Sequence, residues 1–356
     1  MRVVLSGYYG FHNVGDEAIL FSIIAALKAE QPDIEIVVLS NDPDYTKKTY
    51  QVEAVNRWQL KEVSQAIRSA DGVISGGGSL LQDKTGNRSV IYYSGIMMIA
   101  RAYKKPFVIY AQGIGPVDKK VNQRITKVAI SKAKLVTVRD EASKQFLKDI
   151  GLKNEVSVVP DPVLGIDVNT RSSDWVQEQS LKQPMLAVSV RDWPSSDNYK
   201  EAIAGALDQA AGLGYKVVFV PMHGEHDAET SKEVAAMMSA EALISPHDAS
   251  IEEKIAVIGE SAMLVGMRLH ALIFAAVVET PFLALSYDPK IDAFADLCQQ
   301  PVAADVHDRL SAEELFEKIK QHSEQLEEEK QKMNVYVAQA KQEAKQTAAR
   351  ALACFR

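Results

Sequence analysis

Arg268 and His270 lie two residues apart in an otherwise apolar run, at the point where a strand gives way to a helix. Burying an unpaired guanidinium costs several kcal/mol, so Arg268 must pair with an internal acid or bind an anion. A helix N-terminus favours anions, and arginine adds a bidentate fork for phosphate or carboxylate. Histidine titrates near neutrality, which suits proton transfer. The pattern predicts an anion site with an acid or base beside it; the alternative is a structural Arg–acid pair and a hydrogen-bonded core histidine.

Two glycine-rich segments follow strands in the first half of the chain. The segment 7–17 lacks the spacing of a dinucleotide-binding loop, and it leads into a helix through Asn13 and Asp16. Each of these is either an N-cap or a ligand-binding residue. In the second segment, three successive glycines favour a close backbone approach to an anion or sugar over a plain turn. These are Gly76, Gly77 and Gly78.

Further polar residues follow other strands. Gln112 either hydrogen-bonds a sugar hydroxyl or closes a turn, and Arg139 is either a second anion-binding arginine or the partner of Asp140 and Glu141. The second half contributes strand-end residues in the same way. They are Arg191 and His223. Because α/β folds place active sites at strand carboxyl ends, we predict that these residues bind substrate.

No metal site is predicted. His223 and His226 are three residues apart in a loop, whereas the helical zinc signature spaces its histidines four apart. The two cysteines, Cys298 and Cys354, are far from each other in sequence and indicate a reducing compartment.

Composition bounds the function further. The 356 residues suit two domains, and the net charge of −7 argues against a general nucleic-acid binder. No apolar run reaches the ~20 residues of a membrane helix, and we expect a cytoplasmic protein. The stretch from Arg101 to Lys134 contains nine basic residues and one acidic residue. This stretch is either two solvated helix faces or a surface that meets an anionic lipid or pyrophosphate at the inner face of the membrane.

The elements that position these residues alternate in the manner of parallel α/β folds. Strands are predicted at 2–6, 35–40, 72–75, 106–111, 135–139 and 156–159, and again at 185–190, 216–220, 242–244, 262–265 and 282–286. A polar stretch rich in turn formers separates the two series. We therefore predict two Rossmann-like, doubly wound domains facing a cleft, at 1–165 and 185–310, with a linker at 166–184. Charged helices at 311–356 are candidates to pack on the first domain, to form a homo-oligomer contact or to remain exposed.

Taken together, these motifs resemble the polysaccharide pyruvyltransferase family, most closely its CsaB-type members. The resemblance rests on residues 7–17, 76–83, 112–116, 139–140 and 266–270, in the same order. It implies a fold like that of the GT-B glycosyltransferases. It also implies transfer of the pyruvyl group of phosphoenolpyruvate onto two sugar hydroxyls, which forms a ketal and releases phosphate. Phosphoenolpyruvate is then a co-substrate, and no cofactor is implied.

For the CsaB type, the implied acceptor is a β-linked N-acetylmannosamine in a lipid-linked cell-wall precursor. The ketal would join its 4- and 6-hydroxyls, for anchoring of surface-layer proteins. We expect Arg268 and Arg139 to bind the two anionic groups of phosphoenolpyruvate. His270 would move a proton, with Asp16 or Asp83 as the complementary base, and the turn at Arg268 would face the glycine loops across the cleft. The alternatives are a GT-B glycosyltransferase using a nucleotide sugar and a non-catalytic sugar-binding scaffold.

Overall fold

The computed structural model describes residues 1–84, 88–167, 172–194 and 199–356. The chain divides into two compact units. Unit 1 comprises Met1–Ile166 and Ala340–Arg356, and unit 2 comprises Asp167–Gln339.

Unit 1 is built on one parallel sheet. Its strands are β1 (Arg2–Tyr9), β2 (Glu35–Ser40), β3 (Glu53–Asn56), β4 (Gly72–Gly76), β5 (Ser79–Leu81), β6 (Phe107–Ile114), β7 (Leu135–Val138) and β8 (Ser157–Val158). Its helices are α1 (Val14–Glu30), α2 (Pro43–Tyr50), α3 (Leu60–Ser69), α4 (Arg88–Ala102), α5 (Lys120–Ile130) and α6 (Glu141–Asp149). The sheet order is β3-β2-β1-β4-β6-β7-β8, with β5 paired to β6. The carboxyl ends of β1, β4, β6 and β7 are therefore neighbours.

Unit 2 repeats this plan. After α7 (Asp174–Gln179), its strands are β9 (Met185–Ser189), β10 (Lys216–Phe219), β11 (Leu243–Ile244), β12 (Ser261–Gly266), β13 (Phe282–Ser286) and β14 (Val302–Asp305). Its helices are α8 (Tyr199–Gly212), α9 (Gly224–Met237), α10 (Ile251–Gly259), α11 (Leu269–Val277), α12 (Pro289–Leu297) and α13 (Ala312–Ser323). The order β11-β10-β9-β12-β13-β14 makes β10, β9, β12 and β13 successive neighbours.

The strands are apolar because helices cover both faces of each sheet. Val4, Val73 and Ile109 in unit 1 and Leu186 and Leu264 in unit 2 are buried. Strand pairings within the described residues are parallel in both sheets. The prediction of two parallel α/β units is confirmed.

The structure differs from the sequence prediction at several boundaries. β6 continues to Ile114 and therefore contains Gln112, because its last residues pair with β5 and β7. β3 and β14 were not predicted; each is a four-residue strand at or near the end of its sheet, too short for a clear periodicity. The stretch predicted as a linker contains α7, which packs on α10; residues 168–171 of that stretch lie outside the described part.

The C-terminal residues form two helices, as predicted. Helix α13 packs against α8 in unit 2. The long helix α14 (Leu326–Ala353) contains the boundary at residue 340, so its last turns belong to unit 1. There Phe355 packs on Gly72, where a Cβ would lie 2.3 Å from the Phe355 ring. Among the helices that the structure describes, none combines the length and apolarity needed to cross a bilayer.

Candidate functional site

Arg268 pairs with a buried acid. Its Nε donates to Asp227 Oδ2 at 2.9 Å, and its Nη2 donates to Asp227 Oδ1. The Asp227 side chain is 1% exposed and that of Arg268 is 17% exposed. Asp227 lies in the first turn of α9 and also accepts the Met222 backbone N–H at 3.2 Å. The carboxylate therefore fixes the orientation of the guanidinium, whose Nη1 forms no hydrogen bond with any described residue.

Two histidines lie beside this pair. Arg268 is the N-cap of α11 and His270 is its second residue, so the same turn holds both; the His270 side chain is partly buried. His223 is the N-cap of α9. Burial, and then the positive charge of Arg268, lowers the pKa of His223. A neutral imidazole at neutral pH can accept a proton.

A second arginine follows the neighbouring strand β9. Arg191 Nη1 donates to the Tyr287 hydroxyl at 2.9 Å, and its guanidinium lies 4.6 Å from the centre of the Tyr287 ring and 4.9 Å from that of Trp193. Lys290 Nζ lies 5.5 Å from the centre of the same tyrosine ring. Because these residues follow β9 and β13, which flank β12, unit 2 concentrates cations and an imidazole at one edge of its sheet. Such an edge suits a ligand with more than one anionic group.

In unit 1 the three-glycine loop packs so closely against helix α1 that a side chain on Gly77 or Gly78 would clash with it. Gly77 and Gly78 have φ angles of +71° and +63°. A Cβ on Gly77 would lie 1.9 Å from Ile19 Cγ2, and one on Gly78 would lie 2.5 Å from Asp16 Oδ1. Gly76 is the last residue of β4, and its carbonyl accepts the Tyr9 hydroxyl at 2.8 Å. The loop thus meets the first turn of α1, and the Asp16 carboxylate lies directly against it.

Arg139 lies on the other side of that loop. Its Nη2 donates to Ser79 Oγ at 2.9 Å, and its Nη1 lies 3.6 Å from Asp161 Oδ2. The neighbouring Asp140 is 3.8 Å away and mainly caps α6 by accepting the Ser143 N–H. A Cβ on Gly113 would lie 3.0 Å from Arg139 Nε, so this glycine makes room for the guanidinium. Asp16, the glycine loop and Arg139 are therefore brought together.

The remaining predicted site residues are Asn13, Gln112 and Asp83. Asn13 caps α1 by accepting the Gly15 N–H at 3.0 Å, which is the capping alternative. Gln112 is fully buried inside β6, so it does not close a turn, and within the described residues its Oε1 and Nε2 form no hydrogen bond; its contact with a sugar hydroxyl stays a prediction. Asp83 accepts the Asp118 and Lys119 N–H groups and Asn122 Nδ2.

The position of Asp83 bears on its expected role as a base. Burial alone would raise its pKa, but these three hydrogen bonds outweigh burial and hold the pKa below the usual value. Its oxygens are engaged in fixing the start of α5. The geometry favours a structural role for Asp83 and leaves Asp16 as the candidate base.

Sequence reasoning missed two residues at these edges. One is Asp227, which is far from Arg268 in sequence. The other is Arg57, which is 3% exposed and donates to the Gly7 carbonyl at 2.9 Å. Its guanidinium lies 4.2 to 5.5 Å from four ring centres. These are the rings of Phe11, Trp58, Tyr92 and Tyr93. The adjacent basic and aromatic residues 57 and 58 were the available signal, but β3, which places them at the carboxyl edge, was not predicted.

His223 and His226 are the two histidines whose spacing was compared with the zinc signature. The rings of His223 and His226 are stacked with their centres 6.1 Å apart. Among the described residues, no group of three or more His, Cys, Asp or Glu side chains has an arrangement that could hold a metal ion.

Comparison with known proteins identifies relatives. A family model described as polysaccharide pyruvyl transferase matches residues 13–289. The chain is 22% identical to the amylovoran biosynthesis protein AmsJ of Erwinia amylovora, over 82% of this chain and 84% of that one.

Solved structures show the same architecture. A putative UDP-N-acetylglucosamine 2-epimerase from Listeria monocytogenes has a TM-score of 0.67 at 14% identity, covering 99% of this chain and 95% of that chain. The ADP-heptose lipopolysaccharide heptosyltransferase II of E. coli has a TM-score of 0.55 at 14% identity, covering 91% and 99%. At this level of identity the likeness shows the fold, which is GT-B-like as predicted.

Proposed function

The chain belongs to the polysaccharide pyruvyl transferase family, and on that basis we propose that it transfers the pyruvyl group of phosphoenolpyruvate onto two hydroxyls of one sugar. The products are a cyclic ketal and inorganic phosphate. The observation that carries the donor assignment is the cluster of Arg268, Arg191 and His223 at one edge of the unit 2 sheet. Phosphoenolpyruvate offers a phosphate and a carboxylate to such a cluster.

Unit 2 supplies the donor contacts in this proposal. Arg268, held by Asp227 through Nε and Nη2, presents Nη1 to one anionic group. The N-terminus of α11 adds the positive end of the helix dipole. Arg191 binds the second anionic group from the neighbouring strand. The sequence predicts Arg139 for that group as well; its contacts with Ser79 and Asp161 lie beside the glycine loop in unit 1.

The chemistry needs balanced proton transfers. A proton adds to the methylene carbon C3 of phosphoenolpyruvate, and the first sugar hydroxyl attacks C2 as it loses its own proton. The C2–O bond to phosphate then breaks, and the second hydroxyl attacks C2, its proton leaving with the phosphate. His270 performs acid–base transfer at the donor, because an imidazole can both accept and donate a proton in catalysis. Asp16 serves as the complementary base for the acceptor hydroxyl.

The acceptor assignment is finer and rests on the resemblance to CsaB-type members. We propose a β-linked N-acetylmannosamine in a lipid-linked secondary cell-wall polymer precursor, modified at the 4- and 6-hydroxyls and used to anchor surface-layer proteins. The glycine loop of unit 1, with Asp16 and Arg139 beside it, is the proposed acceptor side. The family match and the relative that takes part in amylovoran biosynthesis support a saccharide acceptor.

The deciding experiment incubates the full chain with phosphoenolpyruvate and an aryl β-N-acetylmannosaminide. Mass spectrometry then follows a pyruvyl ketal, and a colorimetric assay follows free phosphate. We expect the two products in equal amounts. Turnover of a UDP-sugar, with no ketal on this acceptor or on a lipid-linked disaccharide, would replace the proposal with the nucleotide-sugar glycosyltransferase alternative.

Matched histidine variants test the assigned role. His270→Ala is expected to lose at least about 100-fold in kcat, a typical contribution of general acid–base catalysis, while its thermal unfolding stays close to that of wild type. His247→Ala removes a histidine elsewhere in unit 2 and should keep full turnover. Equal activity of the two variants would remove His270 from the mechanism. Binding of the sugar without any turnover would favour the scaffold alternative.

A further inference from the structure

Unit 1 carries a dense run of positive charge on α4, α5 and the turns that follow them. Nine basic residues lie between Arg101 and Lys134 although the chain as a whole has a net charge of −7. In the part of the chain that the structure describes, eight of the nine form no ion pair with a carboxylate. They are Arg101, Lys104, Lys105, Lys120, Arg124, Lys127, Lys132 and Lys134. This charge is therefore not neutralised within the fold.

Five of these cations line an open groove of about 690 Å³. They are Arg101, Lys104, Lys105, Lys132 and Lys134. Phe107 and Phe355 are also among its lining residues. The acid in the groove, Asp71, already accepts the Arg2 backbone N–H at 2.8 Å. The groove thus combines concentrated positive charge with apolar wall.

The same two helices expose apolar side chains. Ile91 and Met98 on α4 are 59% and 46% exposed, and Val121 and Val128 on α5 are 65% and 53% exposed. Each pair is seven residues apart, so its members lie on one side of their helix. Arg101 Nη1 donates to the Val128 carbonyl at 3.0 Å and lies 3.3 Å from Met98 Sδ. The two apolar stripes therefore meet beside the groove.

This basic face, defined as the exposed side chains of α4 and α5 with the adjoining groove, lies away from the candidate site of unit 1. The groove is at the start of β4 and β6, whereas Asp16, the glycine loop and Arg139 are at the carboxyl ends of the strands. The five residues of β4 separate the two edges by roughly 16 Å, at about 3.3 Å per residue. A partner on the basic face leaves the glycine loop accessible.

We infer that the basic face docks unit 1 on the surface of an anionic phospholipid bilayer. The groove and the helix cations meet lipid phosphates, and the exposed apolar side chains enter the interface between headgroups and acyl chains. A soluble phosphate compound would need the groove cations alone. It would leave unexplained the apolar stripes and the cations spread along α5. The inference goes beyond the proposed function and does not depend on which reaction the protein catalyses.

Vesicle sedimentation tests this directly. The full chain is mixed with vesicles of phosphatidylcholine alone, or of phosphatidylcholine and phosphatidylglycerol in equal amounts. We expect binding to the mixed vesicles only, weakened by raised salt because exposed charges are screened. Equal binding to both vesicle types, or to neither, would overturn the inference.

A charge-matched pair of variants identifies the surface. The test variant replaces four groove lysines by glutamine: Lys104→Gln, Lys105→Gln, Lys132→Gln and Lys134→Gln. The control replaces four exposed lysines on other parts of unit 1: Lys48→Gln, Lys61→Gln, Lys148→Gln and Lys153→Gln. Each variant changes the net charge equally. With roughly fivefold in partitioning for each charge at an anionic surface, discounted for screening, we expect on the order of 100-fold weaker binding for the test variant. An equal effect of the two sets would mean that net charge alone attracts the protein and would overturn the inference.

Two further arms separate a bilayer from a soluble anion. Met98→Gln with Val128→Gln should reduce the fraction that stays bound at raised salt, because it removes the apolar contribution. Calorimetry with inorganic tripolyphosphate provides the other arm. Binding of tripolyphosphate with no binding of mixed vesicles would assign the groove to a soluble polyphosphate instead. Circular dichroism checks that every variant is folded.

Discussion

The buried pair between Arg268 and Asp227 makes the sharpest prediction, because its two partners are buried to different extents. Replacing one partner of a buried pair costs about 3–5 kcal/mol, since the other charge is left without compensation. Asp227 is 1% exposed, and without Arg268 the one hydrogen bond left to its carboxylate from the described residues is that of the Met222 N–H at 3.2 Å. Arg268 is 17% exposed and can turn partly toward water when Asp227 is lost. We therefore expect Arg268→Met to cost about 4 kcal/mol and Asp227→Asn about 3 kcal/mol.

The double variant removes both charges together. Its cost should be about 2 kcal/mol less than the sum of the single costs, because no buried charge remains unpaired. Urea unfolding followed by tryptophan fluorescence measures these free energies. A Trp58→Phe background leaves Trp175 and Trp193, which both belong to unit 2. The signal then reports the unit that contains the pair.

An exposed ion pair in the same unit provides the control. Lys216 Nζ lies 3.2 Å from Glu241 Oε2, and the glutamate is 85% exposed. Glu241→Gln should change the free energy of unfolding by less than about 1 kcal/mol. If Arg268→Met and Asp227→Asn each cost no more than this control and their effects add, the buried pair is not formed and the reasoning is refuted.

The same variants distinguish orientation from stability alone. In the pyruvyl transfer assay, Asp227→Asn is expected to raise the KM for phosphoenolpyruvate at least about tenfold, because a misdirected Arg268 loses a charge-assisted hydrogen bond of about 1.5–3 kcal/mol. An unchanged KM in folded protein would mean that Asp227 stabilises the fold without positioning the arginine for the donor.

Two further predictions concern stability. His322 in α13 is buried, which lowers its pKa to about 4. Because the unfolded chain takes up this proton near pH 6.5, the free energy of unfolding of unit 2 should fall by up to about 3 kcal/mol as the pH falls from 6.5 to 4. His322→Gln should flatten that part of the profile in urea unfolding measured across the range, and an unchanged slope would contradict it. Gly78→Ala should cost at least 1 kcal/mol in thermal or urea unfolding, because the residue has φ +63° and its Cβ would lie 2.5 Å from Asp16 Oδ1. The control Gly95→Ala, which meets nothing within 4 Å in α4, should instead stabilise the protein by about 0.5–1 kcal/mol, and equal effects at the two glycines would argue against the contact.

The strand ends were predictable because their signals are local. Apolar runs followed by Gly76, Arg139 or Arg268 placed these residues at carboxyl edges, and the structure has them there. Asn13 also shows its capping role in neighbouring sequence alone. Where the local signal was weak, as in the short strand β3, the prediction missed both the strand and Arg57, the residue that follows it.

The partners of these residues were not predictable in the same way. Asp83 had the residue type of a base, yet the N–H groups of residues 118 and 119 engage its carboxylate. Gln112 was predicted either to bind a sugar or to close a turn, and its strand continues past it, which excludes the turn. The outcome for Asp83 depends on chain segments that lie far away in sequence. The outcome for Gln112 depends on strand pairing.

By itself, the sequence determined the two parallel α/β units, the edges at which polar residues gather and the family motifs, because strand period, glycine loops and caps are set by neighbouring residues. Only the tertiary structure decided that Arg268 is held by Asp227, that Arg139 bonds to Ser79, and that Gly78 is needed for Asp16. The physical reason is that a buried charge or a close approach is satisfied by whatever group the packing brings within about 3 Å. The packing joins residues that are 41 to 62 positions apart in the chain.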